Sequence, residues 1–276
     1  MKRVWTTIAV LAISLAPLRA DVTITQTISI EGPMAAAMGG QEPKILLRIK
    51  GNKSRTDADV MNTTIASITD LDTKQLIVLN GTDKTAQITA LGAPPAKPET
   101  PGGKPIDMDV TFKATGNTRK LEAGSCDDHS FSLTMDMSQF GNQAPMPPET
   151  AEMLKGVRIV ANGISCIAKE GKGVGEFAAF QKAAVSGGLM AAAMGVMPGG
   201  AGGGGMEKLM SAVASAPGMP YITEIAMTFE GTGPMVDMMK QMGPMKIIQK
   251  TTNVSTDPIS DDLFKVPADY KITEKK

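Results

Sequence analysis

From Lys44 to Leu91 apolar and polar residues alternate with the period of a β-strand, and turn residues interrupt them at short, regular intervals. Ile45, Leu47 and Ile49 alternate with Leu46, Arg48 and Lys50, while Arg55, Asp57 and Asp59 alternate with Thr56, Ala58 and Val60. The pattern predicts five strands: Lys44–Lys50, Ser54–Met61, Thr64–Leu71, Gln75–Asn80 and Lys84–Ala90. Gly51-Asn52, Met61-Asn62-Thr63, Asp72-Thr73-Lys74 and Asn80-Gly81-Thr82-Asp83 separate them, and such residues tolerate positive φ and bond their own backbone. The stretch is an antiparallel meander. Its second face carries Leu46, Ile68, Ile77 and Leu79 beside Ala58 and Ala66, too apolar for a side wholly in water.

The same period predicts strands at 22–30, Ile106–Ala114, Asn117–Leu121, Ser130–Asp136, Val157–Ala168, Tyr221–Glu230 and Met245–Asn253. Helical spacing appears at Val174–Val185, where Phe177, Phe180, Ala184 and Val185 fall near one face, and in Met235, Met238, Met239, Met242 and Met245. Short helices fit Leu189–Met194 and Met206–Ala214. The region 92–105 is proline-rich and the region 187–219 glycine-rich, so both read as loops in a single β-rich domain spanning 21–276. Near the end, Asp257-Pro258 opens a helical turn, and an extended tail follows, with Phe264, Val266 and Tyr270 as its apolar anchors.

Charge and composition narrow the function. The chain has 276 residues with 28 basic and 28 acidic side chains. Residues 1–20 have a basic start, an apolar run from Val4 to Leu15, Pro17 and a small residue before Asp21, the pattern of a cleaved export signal. The run is too short for a membrane span, which needs about 20 residues, and no later segment supplies one. Beyond it 25 basic residues face 28 acidic ones, a balance that argues against nucleic acid as partner. The expected location is periplasmic or secreted. There the two cysteines, Cys126 and Cys166, read as a disulfide closing a loop of about forty residues, the alternative being two buried thiols.

Three stretches resemble a bacterial family known as domain-of-unknown-function family 4412. They are RIKGNKSRTDADV with ITDLDTKQLIVLNGTDKTAQI, then FKATGNTRKLEAGSCDDHSFSL, then LFKVPADYK. Together they cover about half of the chain beyond residue 20. The sequence departs from the family at Ala86, Ser125 and His129, positions that are usually aromatic. The resemblance implies a fold like that of the lipoprotein carriers (LolA-like): mainly β with a few helices, a curved antiparallel sheet or half-barrel with helices on its concave face and an apolar cavity.

No catalytic constellation emerges. A single histidine, His129, excludes a two-histidine metal site within one chain, and in Cys126-Asp127-Asp128-His129 adjacent strand residues point to opposite sides. GKGVGE at 171–176 lacks the lysine–hydroxyl ending of a phosphate loop. Neither an enzyme activity nor a cofactor or metal is expected. Methionine is the unusual signal, with twelve of 21 residues between Met190 and Met245. Thioethers suit adaptable apolar surfaces and, being soft, Cu(I). The expected function is non-enzymatic binding of a lipid or other hydrophobic molecule. The expected cavity lining is Leu46, Ile68, Ile77, Leu79, Phe177, Phe180, Met235, Met238, Met239 and Met242. The alternatives are copper handling by the methionines and an envelope interaction module with an unidentified protein partner.

Overall fold

The structure, a computed structural model, describes residues 21–32, 35, 42–60, 63–91, 108–142, 149, 152, 154–187, 216, 218–241 and 243–274. The expected export signal, most of the two expected loops, and the short helices expected at 189–194 and 206–214 lie outside the described residues.

Alternation along the chain becomes one sheet of twelve strands: β1 (Val22–Glu31), β2 (Lys44–Lys50), β3 (Lys53–Val60), β4 (Thr63–Asp70), β5 (Gln75–Asn80), β6 (Thr85–Ala90), β7 (Met108–Leu121), β8 (Gly124–Asp136), β9 (Arg158–Ala168), β10 (Met219–Glu230), β11 (Met245–Ser255) and β12 (Lys271–Glu274). Their order is β12-β6-β5-β4-β3-β2-β1-β11-β10-β9-β8-β7. Every pairing is antiparallel except β12 on β6, which is parallel. The sheet is open and curved, a half-barrel, and among the described residues it carries two α-helices, α1 (Val174–Ser186) and α2 (Pro234–Gln241).

The meander turns show why it forms. The Asp70 carboxylate accepts from the amides of Asp72 and Thr73, at 2.9 and 3.0 Å, and the turn closes on Lys74 with φ 53°. The Asn80 side-chain oxygen does the same for Thr82 and Asp83, and that turn closes on Lys84 with φ 49°. One device, an Asx residue followed four positions later by a left-handed lysine, is used twice.

Three strand pairs carry a register shift: β1–β11 at Thr25/Gln26, β10–β9 between Pro220 and Ile222, and β7–β8 between Ala114 and Thr118. A bulge bends its strand and sharpens the twist, and these three lie on one half of the sheet. The third corrects an expectation. Thr115-Gly116 does not end a strand. The Thr115 hydroxyl bonds the Asp128 carbonyl at 3.0 Å, Gly116 takes φ 82°, and β7 runs on to Leu121. Likewise β8 starts at Gly124, because Cys126, Asp128 and His129 are strand residues that are buried and whose polarity hides the alternation.

Residues opposite one another in an antiparallel pair share a face, so the registers sort side chains into two. The inner face is the one that carries Val22 and Ile24 of β1 with Leu47 and Ile49 of β2. α1 packs at one end of the sheet, where Val174, Phe180 and Ala184 join these residues in a core. Cys126, Cys166, Ala168, Met219 and Tyr221, from the ends of β8–β10, belong to the same core. The outer face of the meander has a core of its own. Ala66, Ile68, Ile77, Leu79 and Ala86 pack under Ile259 and Phe264, with Val266 and Tyr270 beside them. The segment 256–270 is therefore a strap across β3–β6. Lys50 Nζ donates to the Ile259 carbonyl at 2.7 Å, Arg55 Nη1 to the Leu263 carbonyl at 3.0 Å, and the Ile259 amide to the Asp21 carboxylate at 2.6 Å. The expected helical turn is a 3-10 turn, Asp261–Phe264, and the tail beyond it becomes β12.

Candidate functional site

The sheet changes character along β1 and β7–β11. At the end nearest α1, Cys126 and Cys166 form a disulfide with Cα atoms 5.2 Å apart, within the α1 core. Past it the inner face carries a row of polar side chains on neighbouring strands. His129 lies opposite Ser165, Ser165 opposite Thr223, and Thr223 opposite Gln249. Gln26 of β1 completes the row beside Gln249 and Thr251.

These groups bond to one another. Gln249 Nε2 donates to Gln26 Oε1 at 2.7 Å, Gln26 Nε2 to the Thr251 hydroxyl at 3.3 Å, and the Thr251 hydroxyl to the Pro220 carbonyl at 2.8 Å. The Ser165 and Thr223 hydroxyls are 2.9 Å apart. His129 Nδ1 is 3.1 Å from the Asp127 carbonyl, and its ring stacks on Phe112 with centroids 5.3 Å apart. Gln26, Ser165 and His129 are only 7, 7 and 9% exposed.

Beyond the row the face is apolar to the ends of the strands. Ile28 and Ile30 of β1, Met245 and Ile247 of β11, Ile225, Met227 and Phe229 of β10, Ile159 and Ala161 of β9, Phe131, Leu133 and Met135 of β8, and Met108, Val110 and Phe112 of β7 line up through the registers. Most are half-buried. At its centre Gly163 leaves room for a ring: a β-carbon there would stand 2.3 Å from Phe131 Cζ and 2.3 Å from the Glu224 carbonyl. The methionines on this wall form two cross-strand pairs, Met108 with Met135 and Met227 with Met245.

Among the described residues no Asp, Glu, Lys or Arg occupies the wall or the polar row. Charges in the same stretches of strand take the outer positions, where several are tied into a ladder. Arg119 bonds Asp128 at 2.7 Å and Glu224 at 2.9 Å, and Lys246 stands 3.7 Å from Glu224 and 3.9 Å from Glu31. On the β8 side, Asp127 lies one step past His129 on the strand's inner positions. It is held by Lys169 at 2.7 Å and by the Thr118 hydroxyl at 2.8 Å. Hydrogen bonding to Asp128 and Glu224 raises the Arg119 pKa, and the Arg119 guanidinium lowers that of Glu224. Lys169, then Thr118, lower that of Asp127. Burial alone pushes the Tyr221 phenol up.

The structure divides the residues expected from the sequence to line one cavity. Ile68, Ile77 and Leu79 belong to the outer core beneath the strap, and Leu46 shares their face in register with Asp57. Phe177 and Phe180 belong to the α1 core. The helix carrying the methionines ends at Gln241, Met245 is already in β11, Met238 is 54% exposed, and Met239 is half-buried. The Met235 side chain and Met242 lie outside the described residues. Among the described residues no three of His, Cys, Asp or Glu are grouped to hold a metal ion, and no helix is long and apolar enough to cross a membrane.

The wall and the row escaped sequence reasoning because each is assembled from a few alternate positions on several strands that are far apart in the chain. A signal was nevertheless present: in SFSLTMD, residues 130–136, the inward positions are Phe, Leu and Met and the outward ones Ser and Thr.

GKGVGE has a packing role. A β-carbon on Gly173, at φ 70°, would stand 2.8 Å from Val22 Cγ1, so this glycine lets α1 start against β1.

No protein-family model matches the chain, and no curated protein matches it. Among solved structures it is similar to an uncharacterized conserved protein from Thermus thermophilus. The two are 7% identical, the match covers 94% of this chain and 92% of that one, and the TM-score is 0.35.

Proposed function

We propose that this chain is an exported binding protein that holds the hydrocarbon part of a lipid, or another hydrophobic molecule, against the inner face of its half-barrel. The observation that carries this reading is the half-exposed apolar wall on β1 and β7–β11, in stretches of strand whose charged residues take the outer positions. Burial of each methylene against such a wall contributes about 0.8 kcal/mol before the cost of ordering the ligand. Paired methionines on β7–β8 and β10–β11 let the wall adapt to chains of different shape.

The site supports binding rather than a chemical step. His129 faces a backbone carbonyl, its neighbour Ser165 is bonded to Thr223, Lys169 pairs with the Asp127 carboxylate, and Arg119 with that of Asp128. Neither of these carboxylates orients the imidazole as a hydrolytic triad requires. Native mass spectrometry of protein purified from envelope extracts tests the reading, with acyl-chain adducts as the expected result. Protein that comes out free of adducts and also leaves the uncharged dye Nile red unbound rejects it.

A further inference from the structure

We propose that the polar end of the ligand is uncharged, an ester, amide or hydroxyl group, and that the row Gln26, Gln249, Thr223, Ser165 and His129 receives it. This inference rests on the reading of the inner wall as a lipid site and adds the head-group class. The row lies across the strands between the α1 core and the wall. A chain laid along the wall therefore brings its polar end to the row. From Thr223 to Phe229 the wall runs about 20 Å, at about 3.3 Å per residue.

The row has hydrogen-bonding capacity to spare. The Ser165–Thr223 pair owns two hydroxyl protons and uses one between them. Gln249 spends one amide proton on Gln26, and its carbonyl oxygen and second amide proton are on the same side of the sheet. Donors and acceptors thus stand together, as an ester or hydroxyl requires.

Among the described residues the row meets no unpaired charge. On the outer face Arg119 is committed to Asp128 and Glu224, and Lys246 to Glu224 and Glu31. The charges at the row's own β8 end, Asp127 and Lys169, are committed to each other. A carboxylate or phosphate brought to the row would lose its water and gain no counter-charge.

The test is competition against Nile red at pH 8 by three ligands that share a sixteen-carbon chain: monopalmitoylglycerol, palmitate and palmitoyl lysophosphatidylglycerol. Monopalmitoylglycerol should bind at least about tenfold more tightly than either anion, since an unpaired charge is costly to desolvate. Thr223→Val and Gln249→Leu should each weaken monopalmitoylglycerol about fivefold, the worth of one net hydrogen bond, and leave Nile red affinity unchanged. Unchanged dye binding shows that the variants fold. If the anions bind as well as the neutral lipid, or if neither variant alters its binding while dye affinity holds, the head-group assignment is overturned and the lipid wall stands. If neither the dye nor any of the three lipids binds, both readings are overturned.

Discussion

At the scale of single residues, Lys74 and Lys84 stand out because a non-glycine side chain occupies the left-handed region in each. That conformation costs an L-residue about 1 kcal/mol or more, and glycine avoids it at a smaller entropic cost. Lys84 is in addition 2.8 Å from Asp269, whereas Lys74 is exposed in its turn, so Lys74 is the cleaner position. Lys74→Gly is expected to raise unfolding stability by about 0.5–1 kcal/mol, seen as a later urea midpoint at unchanged slope. The turn residues themselves were legible in the sequence, since Asx, Gly and Thr between two alternating runs predict a hairpin. The matched geometry of the turns was not, because it depends on which oxygen accepts which amide.

Secondary-structure elements were largely legible as well. Nine strands and α1 fall at or within a few residues of the pattern, while β7, β8 and β12 differ. Each difference has a cause: a bulge read as a break at Thr115-Gly116, buried polar residues read as loop at Cys126–His129, and a tail that becomes a strand only because β6 offers an edge. The strap 256–270 is the element with the clearest energetic signature. Phe264 is buried against Ile68, Ile77 and Leu79, so Phe264→Ala should destabilise the protein by about 3–4 kcal/mol in chemical unfolding. Loss of under about 1 kcal/mol would mean that the strap does not close the outer core. Because the strap is anchored to Lys50, Arg55 and Asp21, it links the C-terminal segment to the first three strands.

For the whole molecule, the disulfide, the bulges and the charge ladder all act on the half of the sheet that carries the proposed site. The Cys126–Cys166 bridge closes a loop with a sequence separation of 40, worth about 3–4 kcal/mol in the chain-entropy model, and joins β8 to β9 within the α1 core. The carboxylates set the acid limit. Arg119 lowers the pKa of Glu224. At Asp70 burial acts to raise it, but the Thr73 and Asp72 amides and Lys53 outweigh burial and bring it below its usual value. A carboxylate with a depressed folded pKa contributes stability above its unfolded value, near 4, and loses it as pH falls through the lower folded value. Unfolding stability should therefore hold between about pH 8 and 5 and decline below about pH 4, and Glu224→Gln should make that decline shallower. A steeper loss between about pH 7 and 5 would point to another group.

Alternation and turn chemistry by themselves determined an antiparallel, β-rich chain with a five-strand meander, one amphipathic helix and a cysteine pair suited to a bridge. They do so because strand period and turn preference are local properties of the backbone. They also showed that both faces of the meander are partly apolar, and left open what covers each. Only the tertiary structure decided that. The strap took the outer face of the meander, α1 took one end of the sheet, and the registers of β1 and β7–β11 collected an uncharged wall and a polar row from residues up to 225 positions apart. Such a surface exists only once strand order and register are set, and neither is encoded in any single stretch of the chain.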